Sequence, residues 1–240
     1  MNFDKFKHLF HKSWHIKIKP FIESKECDEI YKFLKTESKE NGKSISPLSF
    51  NVYRAFMETS LDNLKVVIIG ERPYITNFEE SPLADGLLLG CTVIDKVLPP
   101  LDKFYRGIEE ELFDGLNLSY IQTPDVSYLS KQGVLMLNGS LTCEIGSESS
   151  HKDVWEPFIK FLFKNVFNTM DICVLLLGEA KDYNKYAVES LPCFYADNPV
   201  TCAKQKQEWN SNGVFRQIGK ILVQKNNFEI DWLLTDEIPF

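Results

Sequence analysis

The 240-residue sequence lacks a long apolar run, a cysteine pair at metal-ligand spacing and an excess of positive charge. No apolar run approaches about 18 residues, so we expect no membrane-spanning helix. The lysine-rich residues 1–20 alternate with aromatic residues and have no apolar central block, which argues against a signal peptide. The sequence therefore predicts an intracellular protein, cytoplasmic or in a host nucleus, and not a secreted one.

The six cysteines form no C-x-x-C pair and no cluster with histidine at metal-ligand spacing. Cys143 and Cys173 lie in apolar surroundings and are predicted to be small buried hydrophobic residues. Free thiols in a reducing compartment are the expectation. We expect no metal, no iron–sulfur cluster and no other cofactor.

The net charge of -7 and the pI near 5.2 describe an acidic chain. Proteins that bind duplex DNA through its phosphates usually carry a basic face, because lysine and arginine replace condensed counterions. An acidic total still allows a local basic patch, but it predicts weak nonspecific affinity for DNA.

With 44% hydrophobic residues, no internal repeats and no linker, the chain is interpreted as one domain over residues 1–240. Ser24 is a plausible N-cap for the second helix. Pro99 and Pro100 suit the first turn of a later one. The apolar spacing predicts helices at 3–13, 25–40, 49–57, 101–112, 155–167 and 214–224. Buried strands are predicted at 66–69, 133–138, 172–177 and 193–196.

The segment 65–91 organises the rest of the sequence. Its β-branched run Val66–Ile69 is apolar on both faces, as expected of a central parallel strand covered by helices. Ligands of open α/β sheets bind beyond the carboxyl ends of such strands, which is where Glu71, Arg72 and Tyr74 follow. The alternative is an ordinary exit from a strand into a loop.

This segment, V-V-I-I-G-E-R-P-Y followed by A-D-G-L-L-L-G, resembles family 1 uracil-DNA glycosylases, whose pattern is G-Q-D-P-Y-H and then A-x-G-L-x-F-S. The frame residues of that pattern are kept: Gly70, Pro73, Tyr74, Ala84, Gly86 and Leu87. The functional positions of the pattern are changed. Glu71 replaces the glutamine, Arg72 the aspartate, Ile75 the histidine, Leu89 the stacking phenylalanine and Gly90 the serine.

The resemblance continues in order from about residue 5 to residue 232. The segment K-Q-G-V-L-M-L-N, ending at Asn138, is its most specific match. Residues 150–152 match the family's S-H-K loop. Residues 197–203 align with its H-P-S-P-L-S loop, of which only Pro199 remains. The resemblance implies a three-layer α/β/α sandwich with a central four-stranded parallel sheet.

The resemblance also implies where chemistry would occur. Members of this family flip uracil out of the DNA stack and cleave its N-glycosidic bond. An aspartate stabilises the sugar cation and orients the water, and a histidine donates toward the base. Those roles fall on Arg72 and Asn198 here. A unit charge about 4 Å from the developing cation is worth on the order of 4 kcal/mol at an effective dielectric of about 20. Glu71 is adjacent to Arg72, but its side chain is expected to point elsewhere.

The remaining site residues are also implied by the resemblance. The base-pocket candidates are Glu71, Tyr74, Leu89 and Asn138. The DNA-contact candidates are Ser150, His151, Lys152, Pro199 and Cys202, the last as a small intercalating wedge. Leu89 would lose a stacking contact of about 1–3 kcal/mol per base. Glu79, Glu80 and Asp85 would add negative charge near the DNA face.

Each candidate has a structural alternative. Asn138 also suits a turn at the end of a strand, and Tyr74 also suits the core beneath its own loop. Residues 150–152 also suit the start of a helix with Ser150 or Asp153 as N-cap.

Three functions compete. In the first, the chain has lost base excision and binds DNA weakly, or binds a protein partner of replication or repair. Related folds in some DNA viruses double as replication processivity components, which gives a scaffold role a parallel in the family. In the second, the chain is an active glycosylase for uracil or another base. The third, a nucleotide enzyme, has no phosphate-binding glycine loop to support it.

Overall fold

Four strands form a parallel sheet in the computed structural model, which describes residues 1–116, 120–148 and 150–235. Parts of the predicted domain, 117–119, 149 and 236–240, lie outside the described residues. The strands in chain order are β1 (Ile45–Ser46), β2 (Val66–Gly70), β3 (Asn77–Phe78), β4 (Ser81–Pro82), β5 (Val134–Asn138), β6 (Cys143–Glu144), β7 (Cys173–Leu177) and β8 (Cys193–Ala196). The order in the main sheet is β5-β2-β7-β8. Strands β1 and β6 pair with each other, as do β3 and β4.

Eight α-helices surround these strands in the described part of the chain. They are α1 (His15–Ile22), α2 (Lys25–Lys35), α3 (Arg54–Glu58), α4 (Pro99–Phe113), α5 (Ser127–Lys131), α6 (Lys152–Asn165), α7 (Pro199–Gln205) and α8 (Val214–Asn226). Helices α1, α2 and α6 pack together, and α4 packs against α7 and α8. The predicted α/β architecture, a parallel sheet flanked by helices, is confirmed.

Strand β2 lies between β5 and β7, as its continuous apolar run predicted. All five of its residues are buried, and so are all five residues of β5 and of β7. Such strands need apolar side chains on both faces because helices cover both faces. The sequence pattern and the packing therefore agree most closely at the centre of the sheet.

Aromatic clusters fill the space between sheet and helices. One contains Trp14, Phe56 and Phe158, which meet in edge-to-face or tilted contacts. Another places Phe104 and Phe215 around Trp209. Such rings contribute large buried area and also prefer these angled contacts.

The predicted helix over residues 3–13 is wrong. Three short 3-10 turns precede α1, and Phe10 between them is extended. The backbone N–H of His11 donates to the carbonyl of Phe56 at 3.0 Å, so this segment is bonded to α3 and does not continue a helix of its own. Tertiary contacts override a marginal local helix preference here.

The predicted helices over 25–40 and 49–57 are partly right. Ser24 caps α2 by accepting from the N–H of Cys27, as predicted. The helix then ends at Lys35 and passes into a single π turn over Thr36–Glu40. The segment before β2 contains a 3-10 turn over Ser49–Asn51 and only a short α3.

All six cysteines are free thiols, and Cys143 and Cys173 are buried as predicted. Burial raises the pKa of the Cys143 thiol to about 12 and that of Cys173 to about 11. No helix in the described ranges is long and apolar enough to span a bilayer.

Candidate functional site at the carboxyl ends of the strands

An open cleft with a volume of about 310 Å³ lies at the carboxyl end of the sheet. It forms there because β2 ends at Gly70, level with Asn138 of β5, while β7 leads into Gly178. Its lining is largely aliphatic, with a few polar groups. The lining residues are Glu71, Arg72, Pro73, Tyr74, Ile75, Thr76, Leu87, Leu88, Leu89, Leu98, Pro99, Pro100, Asn198, Val200, Ala203 and Lys204.

Arg72 lies in the cleft with only 11% of its side chain exposed. Its Nη1 is 3.4 Å from an oxygen of Glu71, and its Nη2 is 3.1 Å from Glu148 Oε1. Its Nε is buried and has no hydrogen-bond partner among the described residues. The guanidinium is therefore held inside the cleft by two carboxylates.

Glu71 also lines the cleft, so the expectation that it points away from Arg72 is wrong. Its Oε1 accepts from the backbone N–H of Glu179 at 3.1 Å. A Cβ at Gly178 would lie 2.4 Å from that oxygen, and Gly178 has a φ of +58°. The glycine thus makes room for a carboxylate between the ends of β2 and β7.

Asn198 is buried and acts as the N-cap of α7, its Oδ1 accepting from the N–H of Val200 at 3.0 Å. The segment from Pro199 onward is helical, which corrects the loop predicted over 197–203. A proline at the first helical position and an asparagine before it favour this start. The side-chain oxygen of Asn198 is thus engaged in the cap, and the residue also lines the cleft.

Tyr74 and Leu89 form one wall. The Tyr74 hydroxyl donates to the backbone carbonyl of Leu89 at 3.0 Å, and burial raises the pKa of the Tyr74 phenol. Leu89 is 5% exposed and has a φ of +63°, an unusual value for a leucine. The wall presents an aliphatic side chain where the family pattern has an aromatic ring.

Asn138 is 3% exposed and lies outside the set of residues that line the cleft. Its Oδ1 is buried without a hydrogen-bond partner in the described part of the chain. A buried amide oxygen without a partner is costly and is often found where a ligand or water binds. The position is at the sheet end, as predicted, but the side chain is shielded.

His151 is 1% exposed, which makes a direct contact with a DNA phosphate impossible in this conformation. Its Nδ1 lies 2.9 Å from Thr142 Oγ1, which also accepts from Trp155 Nε1 at 2.7 Å. Its ring meets Phe33 edge-on. Burial lowers the pKa of His151, which favours the neutral form of the ring.

Both neighbours of His151 contact other residues of the chain. Lys152 Nζ is 3.0 Å from Glu179 Oε2, and Ser150 Oγ accepts from the N–H of Glu144 at 2.8 Å. Helix α6 begins at Lys152 with His151 as N-cap and without a capping side chain, so neither Ser150 nor Asp153 serves as the cap.

Cys202 is only 8% exposed and belongs to the hydrophobic core, and Pro199 is buried as well. The helical turn of α7 rotates Cys202 inward and leaves Thr201 exposed. The predicted insertion of Cys202 into DNA is therefore incompatible with this packing.

Two features were missed by sequence reasoning. Asp85 is 1% exposed and pairs with Arg54, so it adds no charge to the surface, whereas Glu79 and Glu80 are exposed as expected. In addition, Glu148 forms an ion pair with Lys204 as well as with Arg72. Glu148 and Lys204 are far apart in sequence, and no local pattern could have indicated their contact.

No cluster of three or more histidine, cysteine, aspartate or glutamate side chains that could hold a metal ion occurs within residues 1–116, 120–148 and 150–235. The charged and amide side chains that line the cleft are instead Glu71, Arg72, Lys204 and Asn198. Glu148 is not a lining residue but pairs with both Arg72 and Lys204. This set can bind an anion or an amphipathic ligand.

The sheet order, the strand-end cleft and the frame residues Gly70, Pro73 and Tyr74 define an α/β protein of the uracil-DNA glycosylase type. No protein-family model matches the chain. Uracil-DNA glycosylases of Francisella tularensis are similar in sequence. Those of subspecies holarctica strain LVS and subspecies novicida strain U112 are each 31% identical over 213 residues, covering 86% of this chain and 91% of the relative. The chain belongs to the uracil-DNA glycosylase family.

Solved structures agree on the fold. Mimivirus uracil-DNA glycosylase matches with a TM-score of 0.78 at 16% identity, covering 94% of this chain and 88% of that one. The Y322L variant of that enzyme, in complex with UGI, matches with a TM-score of 0.80 at 17% identity. The match covers 94% of this chain and 90% of the variant. The UNG from Nitratifractor salsuginis matches with a TM-score of 0.64 at 15% identity. The match covers 91% of this chain and 97% of that one.

Proposed function

We propose that this member of the uracil-DNA glycosylase family has lost uracil excision and uses its strand-end cleft for binding, either of DNA or of a protein partner of repair or replication. The observation that carries the proposal is Arg72. The guanidinium stands where the family pattern has the aspartate, and Glu71 and Glu148 hold it inside the cleft. A positive group there opposes a developing sugar cation.

The rest of the cleft supports the same proposal. Leu89 offers no ring for stacking, and Asn138 is shielded from the cleft. Lys152 and Lys204 are each paired with a carboxylate of the chain itself, which weakens any grip on DNA phosphates. The structure of a mimivirus relative holds a protein, UGI, in complex. This precedent supports a role in protein binding for this chain too.

The test is release of free uracil from single-stranded uracil-containing DNA by wild type, Arg72→Asp and the Arg72→Asp/Asn198→His double variant. We expect wild type to be inert and the double variant to gain activity, because the two family groups are restored on an intact frame. Release by wild type would contradict the proposal. Inactivity of all three would place the defect in base recognition as well, at Leu89 and Asn138.

A second candidate function, an active glycosylase, is favoured by Glu71. Its carboxylate is held in the cleft by a backbone N–H and lies beside Asn198, so it offers a negative group one position before the family aspartate. If wild type releases a base, Glu71→Gln should abolish release. Glu179→Gln is the matched control, because it removes an exposed carboxylate and keeps the backbone N–H that holds Glu71.

A further inference from the structure

Two cations of different elements converge on a single carboxylate oxygen at the mouth of the cleft. Arg72, after β2, places Nη2 3.1 Å from Glu148 Oε1. Lys204, in α7, pairs with the same oxygen. Glu148 comes from the loop between β6 and α6, so three separate segments meet at this point.

The carboxylate only partly satisfies the arginine. Arg72 Nε is buried without a partner among the described residues, although it belongs to the same planar donor fork as Nη2. Glu71 takes the other end of the guanidinium, at Nη1. An oxyanion that accepts from Nε and Nη2 together would satisfy the buried donor, and such two-point contacts are among the strongest that arginine makes.

Glu148 is weakly held. Its side chain is 56% exposed, and exposed ion pairs contribute little net stability. The pKa of Glu148 is lowered, first by the hydrogen bond from Lys204 and then by the charge of Arg72, so the residue is ionised at neutral pH. An incoming anion would therefore compete with a full negative charge that can swing into solvent.

From this geometry we propose that Arg72 and Lys204 form a phosphate-binding site that Glu148 occupies in the free chain and must vacate before a phosphate binds. The site rests on the proposed binding role of the cleft. It is not supplied by the family pattern, which has aspartate at the Arg72 position and ends one residue before Lys204. The aliphatic wall of Leu89, Leu98 and Pro99 lies in the same cleft and suits the nucleoside attached to the phosphate.

Glu148→Gln tests the site, because it removes the competing charge while keeping the size of the side chain. Asp171→Asn is the matched control. Asp171 is also an exposed acid paired with a lysine, Lys225, and it lies outside the residues that line the cleft. Both variants change the net charge equally. Binding of a fluorescein-labelled single-stranded oligonucleotide is measured against salt concentration, with inorganic phosphate and deoxyuridine monophosphate as competitors.

We expect Glu148→Gln to bind the oligonucleotide several-fold more tightly than wild type, with a slope of log affinity against log salt steeper by about 0.7, as for one further phosphate. Asp171→Asn should match wild type. The Glu148→Gln/Lys204→Met double variant should lose the gain. Competition by inorganic phosphate would identify phosphate itself as the ligand. Competition by deoxyuridine monophosphate alone would identify a nucleotide, and a gain that neither competitor reverses would identify the DNA strand.

Equal affinities of Glu148→Gln and Asp171→Asn would overturn the site, and so would a gain that survives Lys204→Met. Both results are independent of uracil release. Excision by the wild-type chain would therefore contradict the proposed loss of activity without deciding whether this site exists.

Discussion

Arg54 Nη1 lies 2.6 Å from Asp85 Oδ2, and this ion pair anchors the loop that carries the leucines of the cleft. Asp85 is almost fully buried, and its other oxygen accepts from the N–H of Leu87 at 3.1 Å. Burial raises the pKa of Asp85, and the charge of Arg54 opposes that effect. The wall of the cleft therefore depends on a charged pair behind it.

Replacing Arg54 with methionine should destabilise the chain by about 3–5 kcal/mol, because Asp85 would remain as a buried carboxylate without its cation. Urea unfolding measures the loss. The Arg54→Met/Asp85→Asn double variant should lose less, since its buried group is neutral. A single variant as stable as wild type would show that Asp85 reaches solvent or is protonated.

Replacing Gly178 with alanine should disturb both stability and the position of Glu71. The new Cβ would meet Glu71 Oε1 and Asn198 Cβ at 2.4 and 2.8 Å, in a left-handed backbone conformation. Gly146→Ala is the matched control, because Gly146 also has a positive φ but nothing lies within 4 Å of its added Cβ. Each left-handed alanine costs on the order of 1 kcal/mol.

We therefore expect Gly178→Ala to unfold at a clearly lower urea concentration than Gly146→Ala. Equal midpoints for the two variants would mean that the carboxylate of Glu71 moves away freely and is not held between the strand ends.

The buried His151 should make the chain less stable at mildly acidic pH. Burial lowers its pKa from the ordinary value of 6.5, against the opposing charges of Glu37 and Glu144. Below about pH 6.5 the unfolded chain therefore takes up a proton that the folded chain does not, and stability falls as the pH falls toward the folded-state pKa.

Urea unfolding at pH about 7.5 and about 5.5 measures this dependence. His151→Gln, which cannot ionise, should show a smaller loss of stability between the two pH values than wild type. Equal losses would show that other groups account for the pH dependence.

Much of the fold was predictable from local sequence. The continuous apolar runs at β2, β5 and β7 are buried strands, and Ser24 caps α2 as its position suggested. The N-terminal turns were not predictable, because Phe10 is extended and the backbone N–H of its neighbour His11 donates to α3. The hydrophobic periodicity of residues 3–13 could not indicate a hydrogen bond to Phe56, which lies more than 40 residues away in the sequence.

The candidate site, like the fold, was predictable from the sequence only in part. Short-range pattern located Glu71, Arg72, Tyr74 and Asn198 at the strand ends, because the carboxyl ends of parallel strands share one edge of a sheet. Side-chain direction and pairing came only with the tertiary structure. Contacts among Arg72, Glu148 and Lys204 join segments that are remote in sequence, and the inward turn of Cys202 follows from the helix that Asn198 caps. The sequence alone determines which strands are buried, because the burial of each residue follows from its own apolar side chain. The electrostatics of the cleft depend on ion pairs between distant residues, and only the tertiary structure brings those residues together.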